Sequence, residues 1–135
     1  MTDAGRYFAA EESGQSTGSG RFVAWDQLEP IEMVPGLEFR PVLGENIMVN
    51  FVRFEPHTEA PRHWHDEEQI SVVLEGELEF EVGDEKRVLR PGEALVIPPN
   101  VPHAARTYDG ICLEFDVFYP PRKGVLEAMG LAEPD

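Results

Sequence analysis

The chain has 135 residues, which is enough for one domain with a buried core and too few for two ordinary domains. Eleven Lys and Arg against 26 Asp and Glu give a net charge of −15, which argues against nucleic acid and anionic membrane surfaces as partners. A single cysteine, Cys112, excludes an intramolecular disulfide, and no apolar run approaches the roughly 20 residues that span a bilayer. Because the chain also lacks a secretory signal pattern, we expect a cytoplasmic protein.

Residues 1–20 are polar and rich in Gly and Ser, with too little apolar surface to fold alone, and we predict a flexible leader. Tyr7 and Phe8 could fix the start of this leader to the folded domain or to a partner subunit. Residues 21–36 carry loosely spaced apolar side chains and two prolines that prevent a long helix. We therefore predict an irregular lead-in to the domain.

From residue 37 onward the pattern is typical of β-structure. Predicted strands cover 37–42, 47–54, 69–75, 77–82, 86–89, 94–97 and 111–119, and a further strand opens near His103. Alternation is clearest where Leu78, Phe80 and Val82 take every second position between glutamates that face water. Eight or nine such strands predict an all-β sandwich or barrel over residues 21–122. Residues 123–135 form a C-terminal tail, whose apolar side chains predict one or two helical turns.

Three of the four histidines have a spacing that suits a metal site. His63 and His65 are two residues apart, so in an extended strand both imidazoles point to one face, about 6–7 Å apart. Gln69 follows at another even offset, and His103 comes much later, after a proline-rich turn. Imidazole nitrogens with an amide or carboxylate oxygen suit first-row divalent ions. The fourth histidine, His57, lies between proline and threonine and is predicted to be a turn residue.

Two segments of the chain resemble the paired motifs of the cupin family. Residues 63–76 read HWHDEEQISVVLEG, and residues 92–103 read GEALVIPPNVPH. The positions at the motif spacings are His63, His65, Gly76, Gly92, Pro98 and His103. The resemblance covers about residues 36–120 and implies a single cupin β-barrel, a double-stranded β-helix of the jelly-roll type. It also implies one divalent metal ion per chain, bound by His63, His65, Gln69 and His103.

His57 and Asn100 stand where the motifs have glycine, and neither is a proposed ligand. One further departure affects the ligand set. Gln69 stands where the family has a glutamate ligand, and Glu68 lies beside it. The even offset from His65 favours Gln69 as the inward residue, with Glu68 as the alternative. Three histidines and a glutamine are neutral, so the ion would keep its full 2+ charge and act as a stronger Lewis acid. The ligand types suit Ni, Zn, Fe or Mn and do not choose among them.

The last predicted strand continues into Asp-Val-Phe-Tyr-Pro-Pro-Arg, residues 116–122. This run is similar to that of KdgF-like cupins of uronate breakdown, which have serine at the position of Tyr119. The resemblance implies that Asp116, Phe118 and Arg122 convert a 4,5-unsaturated monouronate to its linear keto form. An inward carboxylate could move a proton, and the guanidinium could bind a substrate carboxylate. The alternatives are a solvated or salt-bridged Asp116 and a surface Arg122.

Three functions therefore stay open at this point. The first is a metal-assisted isomerase or ring-opening enzyme that acts on a small anionic sugar acid. The second is another metal-dependent cupin enzyme, dioxygenase or cyclase-like, and the third is a non-catalytic barrel that binds a small molecule. The resemblance to small cupins also implies a homodimer, with Tyr7, Phe8 and Trp25 as interface candidates if they are exposed.

Overall fold

A computed structural model describes residues 7–8 and 18–131 of the chain. A short 3₁₀ turn, Trp25–Gln27, precedes the first strand. The strands are β1 Ile31–Val34, β2 Leu37–Leu43, β3 Met48–Phe54, β4 Glu59–His63, β5 Glu68–Glu75, β6 Leu78–Val82, β7 Glu85–Leu89, β8 Ala94–Ile97, β9 His103–Arg106 and β10 Cys112–Tyr119. One helix, α1 Lys123–Ala128, follows them.

The strands form two antiparallel sheets that enclose the core. One sheet has the order β1-β2-β3-β10-β5-β8, and the other has the order β4-β9-β6-β7. Burial alternates along β3 and β10, where every second residue is buried. The core is made by Leu37, Val52, Phe54, Val73, Leu78, Phe80, Leu89, Ile97, Ala105 and Cys112. The predicted all-β jelly-roll architecture is confirmed.

The lead-in is more regular than the sequence predicts. It contains strand β1, which pairs with β2 at the edge of the six-stranded sheet and carries an irregularity between Glu32 and Val34. Pro30 and Pro35 flank this strand. An edge strand needs a partner on one side only, which is why neighbouring prolines are tolerated there. Because the prolines leave a strand of only 4 residues, its side chains are too few to show the alternation that predicts a strand from sequence.

Trp25 packs on its own barrel. Its ring stacks on Phe51 with centroids 6.1 Å apart. The Arg40 guanidinium carbon lies 5.2 Å from the centroid of the Trp25 ring. Tyr7 and Phe8 are 73% and 75% exposed, so these two stay candidates for a subunit contact and Trp25 does not. Residues 1–6 and 9–17, most of the predicted leader, lie outside the described residues.

Two substituted motif positions keep the backbone conformation that glycine favours. His57 and Asn100, which replace motif glycines, have φ angles of 54° and 66°. This left-handed region is uncommon for residues with a side chain, and asparagine and histidine enter it more readily than most. His57 is exposed and its Nε2 lies 3.3 Å from Asp109 Oδ1, which confirms the predicted turn residue.

Gly76 is fixed by both its backbone angle and its surroundings. Its φ is +80°, and a Cβ added there would lie 2.1 Å from the Ile111 carbonyl oxygen. Gly83 also has a positive φ, +57°, but nothing lies within 4 Å of its added Cβ. We expect Gly83→Ala to cost about 1 kcal/mol of stability, and Gly76→Ala about 3 kcal/mol or more.

Chemical denaturation of the two glycine variants checks this expectation. Gly83→Ala measures the cost of the angle alone, so the difference between the variants measures the clash with Ile111. Equal losses of unfolding free energy would show that the barrel relaxes around a side chain at position 76.

The C-terminal helix packs against the barrel. Val125 packs with Met48 and Phe118 in a second apolar cluster, to which Leu126 and Met129 also contribute. The predicted helical turns in the tail are thus confirmed for Lys123–Ala128. Within the described ranges, no helix has the length and apolar character needed to cross a membrane.

Arg106 organises the outer face next to the site. Its guanidinium donates hydrogen bonds to Glu59, Glu79 and Glu81 at 2.9–3.1 Å. Some glutamates that the pattern assigns to water are therefore ion-paired. Since these partners lie on β4 and β6, the network holds both strands against β9, the strand that begins with His103.

Candidate metal centre and its cavity

Three histidines converge at one end of the barrel, where His65 and His103 are buried and His63 is more exposed. His63 on β4 pairs directly with His103 on β9, and His65 lies two residues beyond the end of β4. The ring centroids are 4.3 Å apart for His63 and His103, 5.0 Å for His65 and His103, and 5.7 Å for His63 and His65. One nitrogen from each ring lies within 4.8 Å of the others, so the three residues could hold a single metal ion.

The ligand segment does not run as one extended strand. Strand β4 ends at His63, the chain bends at residues 66–67, and β5 begins at Glu68 in the other sheet. Gln69 therefore approaches the histidines from the opposite sheet. Gln69 is buried, whereas Glu68 is exposed, so the inward residue is the one that the even offset favours.

Backbone carbonyls select the same tautomer in all three rings. The Nδ1 atoms of the three histidines lie 2.7, 3.0 and 2.8 Å from the carbonyl oxygens of Pro61, Glu67 and Val101. A carbonyl oxygen only accepts hydrogen bonds, so each Nδ1 carries the proton and each neutral ring keeps a lone pair on Nε2. The Nε2 of His103 is buried and has no hydrogen-bond partner among the described residues. This arrangement is typical of metal-binding histidines.

Burial keeps two of these rings neutral. Desolvation lowers the pKa of His103 to about 4. Desolvation also lowers the pKa of His65, and the nearby Arg122 charge adds to the effect. Both imidazoles are therefore unprotonated on Nε2 near neutral pH, which is the form that binds metal.

A chain of hydrogen bonds orients the amide of Gln69. Asp116 Oδ1 accepts from the Ser71 hydroxyl at 2.6 Å, and Ser71 Oγ accepts from Gln69 Nε2 at 2.9 Å. The amide oxygen must then face His65, where Oε1 lies 3.0 Å from Nε2. Two acceptor atoms that face each other repel unless a cation lies near both. The residues present thus fit a first-row divalent ion.

Glu114 and Asp116 project from β10 into the interior. Both are buried, at 3% and 7% exposure. Burial raises the pKa of Glu114 well above its usual value, and the neighbouring Asp116 raises it further. Burial also raises the pKa of Asp116, although hydrogen bonds from Glu114 and Ser71 oppose that shift. We conclude that Glu114 is the neutral member of the pair and donates a hydrogen bond to Asp116.

Neutral Glu114 makes stability depend on pH. The pKa of Glu114 is higher in the folded than in the unfolded state, so at a pH between these two values folding takes up a proton. The free energy of unfolding therefore falls as the pH rises from the unfolded-state pKa toward the folded-state pKa. In the wild type we expect this effect to lower the free energy of unfolding by up to about 1.4 kcal/mol per pH unit above pH 5. Glu114→Gln keeps the shape and the hydrogen-bond donor but cannot ionise, so the variant should lack this decrease. Urea unfolding of the wild type and the variant between pH 5 and pH 8 measures the difference.

Glu75→Gln provides the matched control for this measurement. It makes the same chemical change at an exposed position of β5. Its unfolding free energy should follow the wild type across the pH range, and parallel curves for Glu114→Gln and the wild type would contradict the neutral Glu114.

A cavity of about 280 Å³ connects the histidines with the barrel interior. Asp116, Phe118 and Arg122 all line it, so none of these side chains is a simple surface group. The Phe118 ring contacts His65 edge-on, with centroids 5.7 Å apart and planes at 76°. Apolar side chains, among them Phe54 and Phe80, also line the cavity.

Two residues that contact the site, Ser71 and Glu67, are not among the residues predicted to form it. Ser71 links Gln69 to Asp116, and its even offset from Gln69 on β5 is the signal that would have found it. Glu67 is 2% exposed and its side chain accepts a hydrogen bond from the Lys123 backbone N–H at 2.7 Å. Glu67 lies two residues after His65 and two before Gln69, so the same even offset would have predicted that its side chain faces the site.

The chain shares this architecture with known proteins. Residues 50–111 match the model of the cupin domain. The solved structure of KdgF from Halomonas sp. is 30% identical and superposes with a TM-score of 0.74, over 80% of this chain and 100% of that one.

Two curated relatives are similar over shorter stretches. An H2HPP isomerase of Bacillus subtilis is 41% identical over 71 residues, which cover 51% of this chain and 29% of the relative. The dimethylsulfoniopropionate lyase DddQ of Ruegeria pomeroyi is 46% identical over 50 residues, 36% of this chain and 25% of the relative. The chain thus spans less than a third of either relative. Since the match to KdgF covers that whole protein and includes the barrel that carries the histidines, the chain belongs to the cupin family.

Proposed function

We propose that this cupin is a metal-assisted isomerase that opens a 4,5-unsaturated monouronate to its linear keto form. The observation that carries the proposal is the buried Asp116 carboxyl, hydrogen-bonded through Ser71 to Gln69 beside the three histidines. Two similar proteins, the structure called KdgF and the H2HPP isomerase, support the class of reaction.

The proposed ligands are His63, His65, Gln69 and His103. A divalent ion held there would polarise a substrate oxygen as a Lewis acid. The carbonyl contacts to the three Nδ1 atoms hold the rings in the tautomer that such an ion needs. The Ser71 hydroxyl and Asp116 hold the Gln69 oxygen toward the same point.

Asp116 is the proposed general acid–base. In this isomerisation the anomeric hydroxyl loses its proton, the ring C1–O5 bond breaks as C1=O forms, and the resulting enolate gains a proton at C4 to give the ketone at C5. One carboxyl group can take up the first proton and return it to the carbon. The raised pKa of Asp116 brings the group closer to neutral pH, where uptake and release are both efficient. Arg122 is the proposed partner of the substrate carboxylate, and Phe118 restricts the cavity beside His65.

The test is turnover of the unsaturated monouronate, followed by NMR of the product, with metal-loaded protein and with protein stripped by a chelator. We expect the linear keto product only when metal is present, at the same rate with and without O₂. Absence of product with Ni, Zn, Fe and Mn in turn would contradict the proposal.

A different metal-dependent cupin reaction is the second candidate, because one relative is named as a lyase. Consumption of O₂ with a carboxylate substrate would indicate a dioxygenase, and release of a second product would indicate a lyase. Saturable ligand binding without turnover would indicate a non-catalytic barrel.

We also propose a cytoplasmic homodimer. The outer face of β5 and β8 exposes Ile70, Leu74 and Val96 at 39%, 49% and 57%, and an apolar face of this kind favours association. Sedimentation of the full chain tests the dimer.

A further inference from the structure

We propose that Glu67 is a positioning residue that couples the metal centre to the C-terminal segment carrying Arg122. The proposal depends on metal binding by the three histidines and does not depend on the isomerisation. It starts from a buried acidic side chain to which neither the motifs nor the proposed reaction assigns a role.

Glu67 contacts the metal centre through His65. The His65 Nδ1–H donates to the Glu67 backbone oxygen at 3.0 Å, and Glu67 Oε1 lies 3.5 Å from the same nitrogen. The side chain and the backbone of one residue therefore surround the N–H of a proposed ligand. An oxygen on that side of the ring fixes its rotation and increases the basicity of Nε2.

The other carboxyl oxygen holds the start of α1. Glu67 Oε2 accepts the backbone N–H of Lys123, the first residue of the helix, at 2.7 Å. The first N–H groups of a helix have no partner within it, and the N-cap residue Arg122 supplies no side-chain acceptor. A residue 56 positions earlier thus caps this helix.

The capped segment forms part of the cavity wall. Arg122, Gly124 and Val125 line the cavity, and Val125 packs against Phe118, which contacts His65. Movement at the Lys123 N–H therefore moves the guanidinium and the wall together. Ordering of His65 by metal should therefore order this segment further through Glu67, and with it the Arg122 side chain that lines the cavity.

Two substitutions separate the two contacts. Glu67→Ala removes both. Glu67→Gln keeps an oxygen for Lys123, but its NH₂ group then faces the His65 N–H, and two donors repel. The matched controls are Glu68→Ala and Glu68→Gln, which change the neighbouring exposed side chain in the same way.

The experiment measures Zn²⁺ affinity by chelator competition and amide hydrogen exchange of residues 123–131, with and without Zn²⁺. In the wild type we expect Zn²⁺ to slow exchange in this segment. In Glu67→Ala we expect the Zn²⁺ affinity to fall about 10-fold or more. Residues 123–131 should exchange faster than in the wild type, and Zn²⁺ should no longer change their rate. In Glu67→Gln the Zn²⁺ affinity should fall, while exchange of the segment in the metal-free protein should match that of the metal-free wild type.

Several results would overturn the coupling. One is Zn²⁺ affinity in both Glu67 variants equal to that of the Glu68 controls. Another is exchange in Glu67→Ala that still responds to Zn²⁺ as in the wild type. A wild type that binds no metal would refute the metal site itself, and this is seen before any variant is compared. Failure of uronate turnover alone leaves both measurements intact and refutes only the proposed reaction.

Discussion

Replacing Asp116 by asparagine should lower kcat on the unsaturated monouronate by about 10²–10⁴-fold, which is what a well-placed general acid–base group contributes. Asparagine matches the size of aspartate and can still accept the Ser71 hydrogen bond, so the Gln69 amide should keep its orientation. It cannot take up and return a proton. We therefore expect kcat to fall while metal content and KM change little.

Steady-state kinetics of the metal-loaded Asp116→Asn variant, with its metal content measured on the same sample, checks this expectation. Asp109→Asn is the matched control, because its carboxylate is 99% exposed and the chemical change is the same. A kcat within a factor of about ten of the wild type would show that Asp116 does not move the proton. A lowered kcat with equally lowered metal content would show that it acts on the metal site instead.

The second large effect is on metal binding. We expect wild-type protein to bind about one divalent ion per chain and the His65→Ala, His103→Ala double variant to bind almost none, because two of four donors are lost. Metal content after dialysis against Zn²⁺ or Ni²⁺ measures this directly. A binding signal that survives in the double variant would place the ion elsewhere.

His57→Asn provides the control for the loss of a histidine. His57 has φ of 54°, its ring pairs with Asp109 at the surface, and asparagine tolerates that backbone angle. The variant should keep the metal content of the wild type. If it loses metal to the same extent as the double variant, the loss reflects general destabilisation and not the ligand set.

The barrel and much of the site follow from regular alternation along the strands. On β10, Glu114, Asp116 and Phe118 are buried at every second position, as expected for a strand with one inward face. Gln69 is buried and Glu68 exposed as expected, but this follows from alternation within β5, since the chain does not run as one strand from His65 to Gln69. Positions that motif spacing assigns to glycine carry positive φ angles even where His57 and Asn100 replace it.

What the sequence does not predict depends on contacts between distant residues. Ser71 and Asp116 are 45 positions apart, and Glu67 and Lys123 are 56 apart, so no local pattern links them. The ion pairs of Arg106 likewise join strands that only the fold brings together. Strand β1 is too short, at 4 residues between two prolines, to show alternation.

The most direct test is a crystal structure of the metal-loaded protein with anomalous diffraction at the metal's absorption edge. We expect one anomalous peak about 2.0–2.2 Å from the Nε2 atoms of His63, His65 and His103, with the Gln69 oxygen as the fourth protein ligand. A peak coordinated through Nδ1 or by Glu68, or no peak within reach of the three rings, would contradict it.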